Sequence, residues 1–350
     1  METISFARGA PAPDLLPVDE LADCTETVLA QEGKTILSYG AGAGYAPLRE
    51  LIGEWFGVHP GRVVITNGGL QGLDMLARTL AHGKPLVCEW PTYDRAYKLF
   101  LAAGAAILVA SVDEQGVVPD HVEVALVGQS QPAFVYVIPT FQNPTGSTLT
   151  AERRAALADF SLRREVPIVE DDPYSLVRFE GEALPALFDY TQHRSIYMSS
   201  FSKTISPGLR VGFMILPDRL SEELAAAATD TYITPVQLSQ AVVHEFIRRG
   251  SFAPNLMRVN EQLKQRRDAM LAALEKHFGG ATWLRPEGGY FIWLQLPAGA
   301  DSREILARAE GVAAVPGTEF TAAANCIRLA YSFAAPDEIE AGVERLARAV

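Results

Sequence analysis

The sequence predicts an α/β protein: a large body built on a mainly parallel sheet between helices, with a smaller α+β body attached. Three observations carry this. Seven short apolar runs between residues 63 and 216 are separated mostly by helix-like segments. Runs that are apolar throughout are strands buried on both faces, as in a parallel sheet under crossover helices. Beyond about residue 240 the pattern changes to two helical segments followed by short strands and helices. At roughly 150 residues per domain, the 350 residues allow about two domains.

The elements follow in order. Residues 8–17, rich in Pro and Ala, read as an extended arm, and 19–33 as a helix ended by Gly33. A glycine-rich loop, Tyr39-Gly-Ala-Gly-Ala-Gly-Tyr45, precedes Pro47, which opens an amphipathic helix to about Phe56. Val63–Thr66 is a strand, 70–81 a helix, Pro85–Glu89 a strand, 94–103 a helix and Ala105–Val112 a strand. Ala133–Ile138 is a strand, 151–164 a helix, Pro167–Glu170 a strand, and Ser195–Ser199 and Val211–Leu216 complete the seven. Helices are expected at 236–248 and 255–278, and strands at 281–284 and 290–296. A helix, a strand near 312–315, a strand at 326–331 and a final helix from Pro336 close the chain. The expected division is a large domain over 39–240 and a small domain joining 1–38 to 241–350.

Composition excludes several classes. Apolar residues make up 48% and charged residues 21%, ordinary for a soluble enzyme. Forty-two acids against 30 bases leave −12, a field that repels nucleic acid and anionic lipid. Cys24, Cys88 and Cys326 are far apart and odd in number, and His residues form no H-x-x-x-H pair. Neither a disulfide framework nor a metal site is expected. The N-terminus lacks a basic segment leading into an apolar stretch, and no apolar run approaches the roughly 20 residues a membrane span needs. The expected compartment is the cytoplasm.

Four segments carry chemistry. In Thr66-Asn67-Gly68-Gly69-Leu70 a strand gives way to a helix through glycines, so free backbone N–H groups can meet a phosphate. It is not a P-loop, and residues 40–45 lack the G-x-G-x-x-G spacing of dinucleotide folds. Pro139 to Gly146 follows a strand and can aim the Asn143 amide into the crevice at the sheet's C-terminal edge; the plain alternative is a turn of Asn, Pro and Gly. Glu170-Asp171-Asp172 ends a buried strand, where acids are costly unless paired. One could face a cationic ring nitrogen; otherwise they form a surface turn. Ser199 to Thr204 surrounds Lys203 with hydroxyls, and Arg210 lies seven residues on. Hydroxyls and Arg suit a phosphate, and a desolvated Lys suits imine chemistry. Together these parts describe a cofactor with a phosphate, an aldehyde and a pyridine nitrogen.

On these residues the chain resembles the fold-type I aminotransferases that use pyridoxal 5′-phosphate (PLP), in the class I/II branch with 2-aminoadipate, kynurenine and other broad-specificity aminotransferases. The resemblance spans nearly the whole chain. It includes Asn143-Pro-Thr-Gly146, Asp171-Asp-Pro-Tyr174, Ser200-Phe-Ser-Lys203, Gly208-Leu-Arg-Val-Gly212, Pro286 to Trp293 and Ile327-Arg-Leu329. It implies the aspartate aminotransferase-like fold with a seven-stranded, mainly parallel sheet. It implies that Lys203 forms the Schiff base and then serves as base and acid, and that Asp171 pairs with the pyridine N–H. Asn143 and Tyr174 would bond the ring oxygen, and Tyr93 would stack on the ring. Gly69 and Leu70 N–H groups, Ser200, Ser202 and Arg210 would hold the phosphate. Arg328 would clamp the substrate carboxylate, and Gly9 would offer a backbone contact to substrate. Tyr39 resembles the tyrosine that reaches the phosphate from the partner subunit, which implies a homodimer with composite sites.

The implied activity is transfer of an amino group from an L-amino acid (aromatic, branched-chain or 2-aminoadipate-like) to a 2-oxo acid, 2-oxoglutarate first. Alternatives on the same fold are a PLP lyase (C–S β-lyase or decarboxylase) and a non-catalytic sensor domain. Two departures from the family pattern stand out. Gly69-Leu70 replaces a polar pair, which removes side-chain bonds to the phosphate. The chain also begins close to the substrate arm, where relatives carry an extra helix over the pocket.

Overall fold

The computed structural model describes residues 3–191, 194–320 and 322–350. The chain opens with β1 (Ile4–Ser5), α1 (Val18–Ile36), α2 (Ala46–Phe56) and β2 (Val63–Thr66). Then come α3 (Gly69–Leu76), β3 (Pro85–Trp90), α4 (Asp94–Ala102), β4 (Ala106–Asp113), β5 (Gly116–Val117) and α5 (Pro119–Ala125). β6 (Val135–Val137), α6 (Ala151–Arg164), β7 (Ile168–Asp171), α7 (Leu187–Thr191), β8 (Ile196–Ser200) and β9 (Gly212–Ile215) complete the central sheet and its helices. The remainder is α8 (Asp218–Tyr232), α9 (Gln237–Arg248), α10 (Phe252–His277), β10 (Phe291–Gln295), α11 (Ser302–Arg308), β11 (Val312–Ala313), β12 (Val315–Pro316), β13 (Cys326–Ala330) and α12 (Pro336–Ala347).

The sheet order is β2-β9-β8-β7-β6-β3-β4-β5. Strands β8, β7, β6, β3 and β4 run parallel, while β9 is antiparallel to both its neighbours and β5 turns back on β4. All seven expected strands are present. The eighth, β5, is only two residues long and carries no pattern of its own. Alternation divides the strand side chains between two covered faces. Val64, Cys88, Tyr136, Val169 and Met198 meet α3 and α4 through Leu73, Leu76, Ala96 and Phe100. On the opposite face Val87, Val135, Val137 and Ile168 meet α5 and α6, while Val63, Ile65, Phe213 and Ile215 meet α1, α2 and α9.

A second core lies at the C-terminal end of the chain. The antiparallel sheet β10-β13-β12 and the parallel pair β1-β11 pack with α10 and α12 through Phe6, Leu274, Leu294, Leu329, Ile339 and Val343. Gly342 is required there, because a Cβ would lie 2.5 Å from the Phe6 ring.

Several expectations are corrected. Gly33 does not end its helix: α1 continues to Ile36, and Gly33 has open space around it. α1 packs with α9 against the large sheet, where Cys24, Val28 and Ile36 are buried. The arm contains a 3-10 turn at Pro13–Leu15. Residues 281–284 form no strand; Thr282 makes only an isolated bridge to Gln295. α8 lies outside the helices expected from sequence; it buries Ser221, Leu224 and Ala228. No described helix is long and apolar enough to cross a membrane.

The loops at the sheet's C-terminal edge are tied by buried charge. The Arg154 side chain is 2% exposed and lies 3.8 Å from Glu170. It donates to the carbonyls of Leu149, Pro139 and Pro185 and to Thr140 Oγ1. Glu170 accepts from the N–H groups of Leu187 and Phe188. Burial, reinforced by neighbouring Asp172, pushes the Glu170 carboxyl up to about 8. Its folded value is therefore above its unfolded one, and its contribution to stability falls as pH rises through that interval. Above that interval, where Glu170 is charged, Arg154→Leu should lower stability by about 3–5 kcal/mol, because it strands a buried acid. Adding Glu170→Gln should recover part of that loss in urea unfolding. No recovery would mean that the carbonyl bonds of Arg154, not the ion pair, carry the effect.

Candidate active site

Parallel strands deliver their following loops to one edge of a sheet. Here the loops after β2, β3, β6, β7 and β8 meet the arm and β13 around a cleft of about 370 Å³. It is lined by Gly9, Gly69, Leu70, Tyr93, Asn143, Asp171, Tyr174, Ser200, Ser202, Lys203, Arg210 and Arg328. Of the expected site residues only Tyr39 is absent from this lining. Tyr39 is 80% exposed and lies instead in a shallow patch with Ser38, Thr234 and Val236.

One end of the cleft is built for an anion. α3 begins at Gly69, and the first N–H groups of a helix have no acceptor within it. Gly68 has φ +85°, and a Cβ on it would overlap the Arg210 guanidinium. Arg210 itself sits at φ 54° and donates to the Asn67 carbonyl at 3.2 Å. Ser200 Oγ donates to Ser202 Oγ at 2.9 Å and accepts from the Ser202 N–H. Gly212 passes so close behind this turn that a Cβ would lie 2.6 Å from the Gly69 nitrogen.

The acid triplet after β7 is sorted by alternation. Glu170 faces Arg154 and is fully buried. Asp172 accepts from Tyr197 Oη at 3.0 Å and the Ser175 N–H at 3.1 Å, so it braces its own loop. Asp171 lies between them and turns to the cleft. Its Oδ2 accepts from Tyr136 Oη at 2.7 Å. Burial pushes the Asp171 carboxyl up to about 6, opposed by the Tyr136 bond and the Lys203 charge.

Lys203 Nζ donates to the Gly9 carbonyl at 2.6 Å and lies 5.8 Å and 5.4 Å from the ring centroids of Tyr174 and Tyr290. Burial, with Arg328 and Arg210 nearby, lowers its ammonium to about 8, and Asp171 opposes this. Such an amine is half neutral near that pH and can act as nucleophile or base. Arg328 donates to Asn143 Oδ1 at 2.9 Å and to the Ala7 carbonyl at 2.8 Å, and stacks over Phe291 and Phe320. Its buried Nε has no hydrogen-bond partner among the described residues. Tyr93, just before α4, has its phenol raised to about 12 by burial and then by Asp94 and Asp171.

The loop carrying Asn143 is held from below. Gln142 Nε2 donates to Glu89 Oε1 and the Pro91 carbonyl, and its Oε1 accepts from the Thr145 N–H. Glu89 also accepts from the Ile138 N–H. Tyr136, Glu89, Gln142, Tyr290 and Phe291 were given no role from sequence. Their signal was present but ambiguous: Tyr136 and Glu89 are polar groups inside apolar strands. Among the described residues no group of three or more His, Cys, Asp or Glu could hold a metal ion.

Comparison with known proteins identifies the family. A family model described as aminotransferase class I and II matches residues 3–346. A 2-aminoadipate transaminase from Thermus thermophilus is 37% identical, covering 99% of this chain and 90% of its own. An aromatic-amino-acid aminotransferase from Thermococcus litoralis is 32% identical, covering 100% and 88%. Among solved structures, the α-aminoadipate aminotransferase of Thermus thermophilus, in complex with N-(5′-phosphopyridoxyl)-L-leucine, superposes with a TM-score of 0.94 at 36% identity. That match covers 99% of this chain and 92% of the other. The large parallel sheet, the lysine in its cleft and a family match over almost the whole chain lead to one conclusion: the chain belongs to the class I and II aminotransferases.

Proposed function

We propose that the protein is a homodimeric, PLP-dependent aminotransferase. It would move the amino group of an aromatic, branched-chain or 2-aminoadipate-like L-amino acid to a 2-oxo acid, with 2-oxoglutarate as acceptor. The observation that carries the reading is the convergence of Lys203, Asp171, Arg328 and an anion corner on one cleft. The cofactor-binding body is proposed over 39–240, with 1–38 and 241–350 as the second body; α1 and α9 lean on the large sheet.

The residues fit the cofactor. The α3 N-terminus, Ser200, Ser202 and Arg210 supply donors for a phosphate, and the Cβ-free edge at Gly68 leaves Arg210 its room. When bound, PLP supplies an aldehyde carbon that takes up an amino group and a protonated ring nitrogen that withdraws electrons. Asp171 would hold the proton at that nitrogen. Asn143 and Tyr174 would bond the ring oxygen, and Tyr93 would cover the ring. Lys203 Nζ would anchor the aldehyde carbon and, once released, move the proton at the substrate Cα. Anchoring that carbon would take Nζ away from the Gly9 carbonyl, leaving this backbone oxygen open to the substrate. Arg328, whose buried Nε has no partner among the described residues, would take the substrate carboxylate in a fork. The phenyl faces of Phe291 and Phe320 hold that guanidinium flat.

A dimer is supported by the patch around Tyr39, where Leu37 is 71% and Val236 53% exposed. Tyr39 would reach the partner's phosphate corner. Isolated apolar side chains are common on surfaces, but a contiguous group marks an interface.

A donor screen with 2-oxoglutarate, scored for glutamate, tests the activity; ammonia and pyruvate instead would indicate a lyase. Borohydride reduction of the same preparation should fix the cofactor on the Lys203 peptide, and label on another lysine overturns that assignment. Asp171→Asn should retain the yellow colour and lose most turnover, whereas Asp172→Asn should cost less. Equal losses would mean that the wrong carboxylate was chosen. The composite site is tested by mixing two variants, Tyr39→Phe and Lys203→Ala, once each is shown to be weak. Half of the exchanged dimers are mixed and each has one complete site, so activity should rise towards about a quarter of wild type. If exchange is demonstrated and activity stays at the mean of the parents, Tyr39 acts within its own subunit.

A further inference from the structure

The carboxylate that faces the cleft is itself held by a group outside the family motifs. Tyr136 lies on β6, paired in register with Val169 of β7. Val169 and Asp171 leave β7 on the same face, because strand side chains alternate. The phenol of Tyr136 thus reaches diagonally to Asp171 Oδ2, at 2.7 Å. The ring is fully buried and packs edge-on against Phe100, with centroids 5.1 Å apart and planes at 75°. The hydroxyl is therefore aimed by packing, and burial of a hydroxyl is costly without a partner.

We propose that Tyr136 is a positioning residue for the transfer reaction: its hydroxyl occupies one oxygen of Asp171, presents the other to the cleft and keeps the carboxylate anionic for the cofactor's ring nitrogen. The inference rests on the PLP reading above. A hydrogen bond to the charged form favours that form, and the Tyr136 bond is the strongest influence opposing the burial of Asp171. Lys203 acts in the same direction, while Asp172 opposes it. Glu89 and Cys88 on β3 and Tyr93 before α4 also face this corner. Burial, together with the Asp171 charge, holds the Tyr136 phenol well above its ordinary value, so it remains a donor. Phe would preserve the ring and its contact with Phe100 while deleting only the donor.

The test compares two ligands on the cofactor-free protein. One is PLP; the other is its carbocyclic analogue, in which CH replaces the ring nitrogen. Wild type should bind PLP with an absorbance change that Lys203→Ala abolishes. Tyr136→Phe should bind PLP about tenfold more weakly, the scale of one hydrogen bond to a charged group, with analogue affinity unchanged. Equal weakening for both ligands, or no weakening for PLP, overturns the proposal. Phe100→Leu, which loosens the ring but keeps the hydroxyl, should lower the melting temperature and move the ratio of affinities less than Tyr136→Phe does; an equal shift would mean that ring packing rather than the hydroxyl carries the effect and overturns the proposal. Should Tyr136→Phe fail to fold, 3-fluorotyrosine at position 136 provides the second variant. It is a stronger donor of nearly the same shape and should favour PLP over the analogue more than wild type does; an unchanged ratio overturns the proposal. A wild type that binds neither ligand removes the cofactor reading itself, an outcome distinct from any change in the ratio.

Discussion

Three carboxylates in a row at the end of a buried strand are the constraint around which this molecule is arranged. Each would be expensive to bury without donors, and β7 presents them to alternating sides. Glu170 is met by Arg154 and two backbone N–H groups. Asp172 is met by Tyr197 and the Ser175 N–H. These two tie α6, α7 and β8 to β7, and so fix where the third can point. Asp171 opens to the cleft with a single phenol behind it. The two neighbours are structural, and the rigidity they provide is what makes the middle residue usable.

The cations of the cleft are arranged by a related logic. Lys203 and Arg328 arrive from different parts of the chain, and both donate to carbonyls of the N-terminal arm, at Gly9 and Ala7. A short arm pinned by Ser332 to the Arg8 and Ala10 carbonyls thus crosses both charges. Burial and mutual repulsion lower the Lys203 ammonium towards neutrality, which is the state a nucleophile requires. Perturbed groups of opposite sign in one cleft are the physical signature of a reactive site. The same cost is accepted here for chemistry and avoided elsewhere by pairing.

Much of the architecture was legible because long-period patterns survive in a single chain. Seven apolar runs interleaved with helices implied a covered parallel sheet, and the strand ends located the loops. Lys203, Asn143 and the acid triplet stood out because polar groups next to apolar strands demand a reason, whereas Asp171 within that triplet and Arg328 were singled out only by the family resemblance. Helix α1 running past Gly33 was not legible, since a glycine within a helix weakens it by about 1 kcal/mol without ending it. Nor was its packing against the large sheet, which depends on the partners of Cys24 and Val28 rather than on their own period.

The sequence by itself determined the class of fold, the order of its elements and the kinds of group that gather at the sheet edge, because burial periodicity and turn chemistry are local properties. Tertiary structure decided which acid of the triplet faces the cleft, that Tyr136 stands behind it and that Tyr39 lies outside the cleft of its own chain. Those outcomes depend on strand register and on the direction of side chains brought together from positions far apart. A one-residue change of register would exchange the roles of Asp171 and Asp172, and no local pattern distinguishes two adjacent aspartates.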